Sequence, residues 1–304
     1  MSMRAVLAAA AAVALTLAAA GCTQQQTAQH EHGSTATVVA STDVWGSVAD
    51  AVVDDHASVT SIVNGTVADP HSFQATPADA AAITDAALVV YNGGDYDHWV
   101  DEVLANSPDV ATVDAYSLHP ATQPPANEHV FYDPATAKAV AAQIAERLAE
   151  IDPDHAEAYR ANAAAFGAGA DEILATERAI GQAHPGASVV ATEPVAHYLL
   201  SNAGITDKTP EGFQNAVAED ADPSPADLAT MLDLIENREV SAVLFNPQTE
   251  TAVTKQLRDA ATRASVPVVT VTEALPDGTD YLTWQRQTAE QLASQLDKAP
   301  RASR

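Results

Sequence analysis

Two imidazoles stand out by their settings. His71 lies in Asp69-Pro70-His71-Ser72-Phe73-Gln74-Ala75-Thr76-Pro77-Ala78-Asp79, and His129 in Asn127-Glu128-His129-Val130-Phe131-Tyr132-Asp133-Pro134. Pro70 fixes its own φ and lacks an N–H, so the chain entering His71 is stiff and the ring can be aimed. An aimed imidazole is a metal ligand; a strand-to-helix turn with a surface histidine is the plain alternative for either one taken alone. Three further polar residues sit just past apolar runs: Glu193 after Val189-Val190-Ala191-Thr192, Asn246 after Val243-Leu244-Phe245, and Glu273 after Val268 to Thr272. Two imidazoles and two carboxylates make a closed set for a borderline divalent cation such as zinc or manganese. Without a cation, two carboxylates at one dry spot repel and one takes up a proton, whereas a dication satisfies both. Any α/β protein puts polar residues past its strands, so the signal depends on whether these five converge.

The elements that must position them alternate. Val- and Ile-rich runs at Thr37 to Val44, Val59 to Val63, Leu88 to Tyr91 and Val110 to Val113 read as buried strands. Helical stretches follow at about Trp45 to Asp55, from Thr76 as N-cap with Pro77 first and Asp79 in the opening turn, and from Tyr96 to Asn106. This spacing predicts parallel βαβ units, with the loops after the strands facing one side. Ala115 to Asn127 reads as a loop containing His119, and Asp133-Pro134 caps a helix to about Ile151. Pro153 to about Gln182 is a second helical stretch, long enough to traverse a domain. After His184-Pro185-Gly186 the alternation resumes, with strands near Ser188 to Ala191, Ile205, Val240 to Phe245 and Val266 to Val271. The expected fold class is therefore α/β, with two lobes joined by one long helix and a ligand site in the cleft between them. In residue ranges this is a lobe over 37–152, a linking helix over 153–183 and a lobe over 184–304.

With 41 acidic against 14 basic residues the formal charge is −27, which repels phosphate backbones and excludes nucleic acid as a partner. Residues 1–22 have a short positive start and an apolar run from Ala5 to Ala20, the pattern of a secretory signal. It ends at Gly21-Cys22, and Cys22 is the chain's one cysteine, so it forms no internal disulfide. Residues 23–36 are Gln- and Thr-rich and read as a flexible tether. His30-Glu31-His32 within it lacks preorganised partners, and is read as part of that tether. His56, His98, His155, His184 and His197 fall on or beside helices and are read as surface or packing residues.

Several motifs in order resemble one family. Asp69-Pro70-His71 with Thr76-Pro77-Ala78-Asp79, Tyr91-Asn92-Gly93-Gly94-Asp95-Tyr96-Asp97, Glu128-His129-Val130-Phe131-Tyr132-Asp133-Pro134, Glu211-Gly212-Phe213, Pro223-Ser224-Pro225-Ala226-Asp227 and Asn246-Pro247-Gln248 are similar to the zinc/manganese solute-binding proteins of metal-import ABC transporters. Leu17-Ala18-Ala19-Ala20-Gly21-Cys22 resembles a lipobox, with Ala19 where that pattern more often has Leu.

The resemblance implies two lobes joined by a rigid helix, with the ion at their interface. It implies His71 and His129 as ligands from the first lobe. Glu193 falls where members carry His or Glu, and Glu273 where the last carboxylate, usually Asp, is expected. Asn246 and Gln248 fall beside that set, as supporting or lobe-interface groups. The transported ligand would be Zn2+ or Mn2+, and the partners a membrane permease and its ATPase. The receptor would be a monomer on the extracytoplasmic face, lipid-anchored through Cys22, or secreted if the lipobox is not used. It would not be an enzyme. The alternatives are a secreted zinc-dependent hydrolase and a surface adhesin locked by its metal. The hydrolase would need an open coordination position and a general base.

Overall fold

Thr37–Thr42 (β1) opens a sheet of four parallel strands with Ser58–Val63 (β2), Leu88–Tyr91 (β3) and Thr112–Asp114 (β4), in the order β2-β1-β3-β4. The computed structural model describes residues 36–65, 72–120, 127–219 and 221–299. Cys22, the tether with His30-Glu31-His32, and Asp69-Pro70-His71 lie outside the described residues. Register is set by apolar partners: Val38 lies opposite Leu88, and Val90 opposite Val113. A second sheet repeats the plan with Ser188–Ala191 (β5), Thr206–Asp207 (β6), Ala242–Phe245 (β7) and Val268–Thr270 (β8), all parallel, in the order β6-β5-β7-β8. In both, the order reverses beside the first strand, so β1 and β3, and likewise β5 and β7, open a crevice at their C-terminal ends.

Helices cover both sheets. The first lobe has Asp43–Val53 (α1), Pro77–Asp85 (α2), His98–Leu104 (α3), the single turn Ala115–Leu118 (α4) and Pro134–Ile151 (α5). Ala156–Ala183 (α6) follows, and the second lobe adds His197–Ala203 (α7), Glu211–Ala218 (α8), Pro225–Glu236 (α9), Ala252–Ala264 (α10) and Tyr281–Lys298 (α11). The sequence accounts for their starts. Thr76 Oγ1 accepts from the Asp79 N–H while Asp79 Oδ2 accepts from the Thr76 N–H at 2.8 Å, a reciprocal capping box ahead of Pro77. Asp133 accepts from the N–H groups of Ala135 and Thr136 and so caps α5.

Three expectations need correction. The first strand stops at Thr42 because Asp43 already turns into α1, although Thr-Asp-Val reads as β-forming. Residues 115–118 form a helical turn within the expected loop, capped by Asp114. His56 and His155 do meet: their rings stack at 4.3 Å, and His155 Nδ1 lies 2.7 Å from Asp152 Oδ2. The pair fastens the end of α1 to the start of α6.

One apolar cluster runs through both lobes, from Val38, Trp45 and Leu88 through Phe166 and Ile180 to Val189, Leu244 and Leu292. Close packing brings α6 against α7 so tightly that a Cβ on Gly181 would stand 1.6 Å from the Ala203 carbonyl oxygen. α11 packs on α6, and its first turn reaches across to the first lobe, where the Tyr281 hydroxyl donates to the Phe131 carbonyl at 2.8 Å.

Candidate metal centre

His129 follows Asn127 and Glu128, and hydrogen bonds from elsewhere in the fold hold these two residues. Asn92, the residue after β3, donates its amide to the Glu128 carbonyl at 2.8 Å. The Tyr198 hydroxyl donates to the Asn127 carbonyl at 2.6 Å, and Asn127 donates its amide to the Pro194 carbonyl at 3.1 Å. With Nδ2 so committed, Asn127 Oδ1 is left as acceptor for the His129 N–H at 2.9 Å and for His129 Nδ1 at 3.0 Å. These partners assign the ring proton to Nδ1 and leave the Nε2 lone pair pointing onward. It points at the second lobe. His129 Nε2 lies 3.5 Å from Glu273 Oε2, and the two residues are 3% and 4% exposed.

The Asn92 turn also delivers Tyr96. Gly93 and Gly94 both have positive φ, and a Cβ on either would strike Asp114 or the Tyr116 ring. Asp97 receives the N–H groups of Asn92 and Gly93 at 2.7 and 2.8 Å. Burial pushes its carboxyl up to about 6, against the pull of those hydrogen bonds. The turn presents the Tyr96 hydroxyl to Glu273 Oε2 at 3.3 Å, with the ring edge-on to His129.

Glu193 and Glu273 stand just past β5 and β8. The backbone before Glu273 is pinned across the lobes, since the Tyr132 hydroxyl donates to the Thr272 carbonyl at 2.9 Å and accepts its N–H. The Glu273 N–H donates to Gln248 Oε1 at 2.5 Å. Asn246, fully buried after β7, donates one amide N–H to Glu193 Oε2 at 2.6 Å and the other to Glu273 Oε1 at 2.8 Å. The Thr249 hydroxyl donates to Glu193 Oε1. Burial first, and the Glu273 charge after it, raise the Glu193 pKa against those two hydrogen bonds.

Of the residues singled out from sequence, the structure brings together His129, Glu193, Glu273, Asn246 and Gln248; His71 lies outside the described residues. Among the described residues, no three of His, Cys, Asp and Glu are gathered closely enough to enclose an ion by themselves. Asn246 bridges the two carboxylates instead. Asn92 and Tyr96 enter the sequence reading only as part of a motif and Thr249 not at all, and none has a role there, because their partners lie 36, 177 and 56 residues away. The signal that finds Asn92 is its place after the third strand, where Asn246 stands in the second lobe.

A nitrogen and an oxygen bound to one tetrahedral zinc, each at about 2.0–2.2 Å, stand roughly 3.3–3.5 Å apart. His129 Nε2 and Glu273 Oε2 have that separation. The Tyr96 hydroxyl donates to the same Glu273 oxygen, so an imidazole, a carboxylate and a phenol meet at this buried point.

The fold and this donor set define a class: two parallel α/β lobes, joined through a long helix, with imidazole and carboxylate donors meeting where the lobes touch. Residues 38–295 match the profile of the family described as "ZnuA: Zinc-uptake complex component A periplasmic", and the chain belongs to that family. The manganese-binding lipoprotein MntA of Halalkalibacterium halodurans is 31% identical over 158 residues, 50% of this chain and 52% of that protein. The zinc-binding protein AdcA of Streptococcus pyogenes is 24% identical over 76% of this chain and 50% of its own length. The chain thus spans about half the length of these curated relatives. Among solved structures, the periplasmic zinc-binding protein TroA of Treponema pallidum superposes with a TM-score of 0.75 at 19% identity, over 86% of this chain and 99% of that one, and shares the fold. The laminin-binding protein Lmb of Streptococcus agalactiae, titled a bifunctional protein with adhesin and metal-transporting activity, gives 0.73 at 25% identity over 86% and 99%.

Proposed function

We propose that this chain is the extracytoplasmic receptor of an ABC-type importer for zinc or manganese. It holds the ion between its lobes with His71, His129, Glu193 and Glu273, and passes it to a membrane permease driven by an ATPase. The observation that carries this reading is the facing pair His129 Nε2 and Glu273 Oε2, one from each lobe, buried and 3.5 Å apart. The names of MntA, AdcA and TroA, which bind manganese or zinc, support the choice of cargo.

Four side-chain ligands leave no coordination position for an attacking water, so the site captures and does not catalyse. The monomer is attached to the outer membrane face through a lipid on Cys22, with residues 23–36 as tether. Among the described residues no helix is long and apolar enough to cross a membrane.

Calorimetry on the metal-stripped mature protein tests the reading: one Zn2+ or Mn2+ binds per chain. The bound ion raises the melting temperature, since at a free concentration 100 times Kd it adds about 2.7 kcal/mol to the folded state. A melt indifferent to both ions and to chelator overturns the proposal.

A further inference from the structure

We infer that Tyr132 is a positioning residue for the metal centre: its hydroxyl ties the segment that carries His129 to the segment that carries Glu273, and so fixes how those two groups face each other across the lobes. The inference rests on the metal-receptor reading above and concerns the same site.

The segment of Glu273 leaves its sheet just before the site. β8 ends at Thr270, and the Val271 N–H carries the ladder one bond further, to the Phe245 carbonyl at 3.0 Å. At Thr272 a side chain takes over from the neighbouring strand. The Tyr132 hydroxyl donates to the Thr272 carbonyl at 2.9 Å and accepts the Thr272 N–H at 3.2 Å, so one phenol satisfies both backbone groups of the residue before Glu273. Two bonds to one residue fix its tilt as well as its place. Tyr132 itself ends the short 3-10 turn Val130–Tyr132, three residues after His129, and is 0% exposed. An apolar ring would fill that space equally well, and a hydroxyl in a dry interior costs free energy unless it is bonded.

Helix α11 braces both segments. Tyr281 and Gln285 donate to the Phe131 carbonyl at 2.8 and 3.2 Å, and the Trp284 indole N–H donates to Thr272 Oγ1 at 3.2 Å. The turn 130–132, Thr272 and α11 therefore hold one another in pairs. Within that triangle the Tyr132 hydroxyl is the side that joins the two segments bearing His129 and Glu273. The Tyr132 ring stands edge-on to Trp284 at 5.1 Å, a contact that does not involve the hydroxyl.

The Glu273 carboxylate is held separately, by the Asn246 amide on Oε1 and the Tyr96 hydroxyl on Oε2. Those bonds orient the side chain, and Tyr132 holds the backbone from which it springs. A binding constellation works only when its groups are kept within about 0.5 Å of the productive arrangement. Donors that are ordered before the ion arrives also spare the cost of ordering them on binding.

The experiment titrates Zn2+ by calorimetry, and Co2+ by visible absorption, into the metal-stripped mature protein. Cobalt accepts imidazole and carboxylate donors, and its bands report the geometry around it. Tyr132→Phe keeps the ring and removes the hydroxyl. Tyr159→Phe is the control: Tyr159 is also 0% exposed, and its hydroxyl donates to Asp152 at 2.8 Å, beside His56 beyond the end of α1. Both variants lower the melting temperature of the metal-free protein. Tyr132→Phe weakens zinc roughly 10–100-fold, the size of losing an outer partner of a metal ligand, and shifts the cobalt bands. Tyr159→Phe does neither. Unchanged zinc affinity or an unmoved cobalt spectrum in Tyr132→Phe overturns the inference and leaves the receptor standing, as does an equal zinc loss in Tyr159→Phe. Should Tyr132→Phe fail to fold by circular dichroism, Trp284→Phe, which releases Thr272 Oγ1, reads the same band shift at smaller size, and an unmoved spectrum there overturns the inference as well. A wild type that binds neither ion overturns the receptor reading itself.

Discussion

Asn92 and Asn246 occupy the same place in two lobes built to one plan, each buried and each directly following the third strand of its sheet, and they do different work. Asn92 spends its amide on backbone, on the carbonyls of Gly93 and Glu128, and its oxygen on the Trp45 indole N–H. Asn246 spends its amide on two carboxylates. One braces the segment that carries an imidazole; the other bridges two buried carboxylates. The same asymmetry runs through the lobes. The first supplies His129 from beyond α4, well past β4, and the second supplies Asn246, Glu193 and Glu273 from residues one to three positions past its strands. A parallel sheet thus fixes where a site forms, and the residue after the strand decides whether that place is structural or chemical.

The largest effect that could break the comparison is at the ligands. His129→Ala is expected to weaken zinc and manganese binding by more than the roughly 10–100-fold that follows loss of an outer partner. Isothermal titration reads it, and unchanged affinity removes His129 from the site. Next comes Asn92→Ala, which leaves the buried Trp45 N–H without its acceptor and costs about 1–3 kcal/mol, the worth of one buried orphan. Chemical denaturation measures that cost, and competition binding must show both ions weakened alike. Unchanged stability would take the structural role from Asn92 and dissolve the contrast.

Gly181→Ala, whose added Cβ meets the Ala203 carbonyl at 1.6 Å, is expected to cost about 1–3 kcal/mol by overpacking. Metal affinity should stay put, because the clash lies between α6 and α7, away from both asparagines.

The smallest effect concerns Glu177, a fully buried carboxylate on α6 that receives the Asn202 amide at 3.0 Å. Asn202 also reaches Asp133, the cap that follows His129. Burial foremost, opposed by the Asn202 bond and reinforced by Asp133, raises Glu177 from an ordinary 4.5 to about 8. The folded protein thus holds this proton more tightly than the unfolded chain, so the stabilisation is whole below pH 4.5 and is lost as pH rises through about 8. Between pH 7 and 9 the metal-free protein should lose about 1.4 kcal/mol more than Glu177→Gln does, the worth of one pKa unit. Denaturation at the two pH values reads the difference, and parallel curves would refute it.

Where cap and apolar run agreed, the sequence was read to the residue. Pro134–Ile151 begins after Asp133 with proline in first position, and Ser188–Ala191 and Leu88–Tyr91 are unbroken apolar runs. Glu211–Ala218 went unread because it buries only Phe213 and has no side-chain cap. Of the site, the donors past strands were legible, since topology alone predicts where they gather. Asn246 was read as a supporting group through the resemblance, but its two partners were not legible, because a hydrogen-bond partner 27 or 53 residues away is fixed by packing and leaves no local pattern. Tyr96 is the extreme case, 177 residues from Glu273.

The apolar cluster that runs unbroken from Val38 to Leu292 has a thermodynamic consequence. Two lobes with wholly separate interiors could melt one after the other, leaving a half-folded chain open to proteolysis. Each half keeps a smaller cluster of its own, but the largest one is shared, so unfolding either half exposes apolar surface of the other. Heating should give a single endotherm, and ion capture where the lobes touch should move all of it upward as one peak.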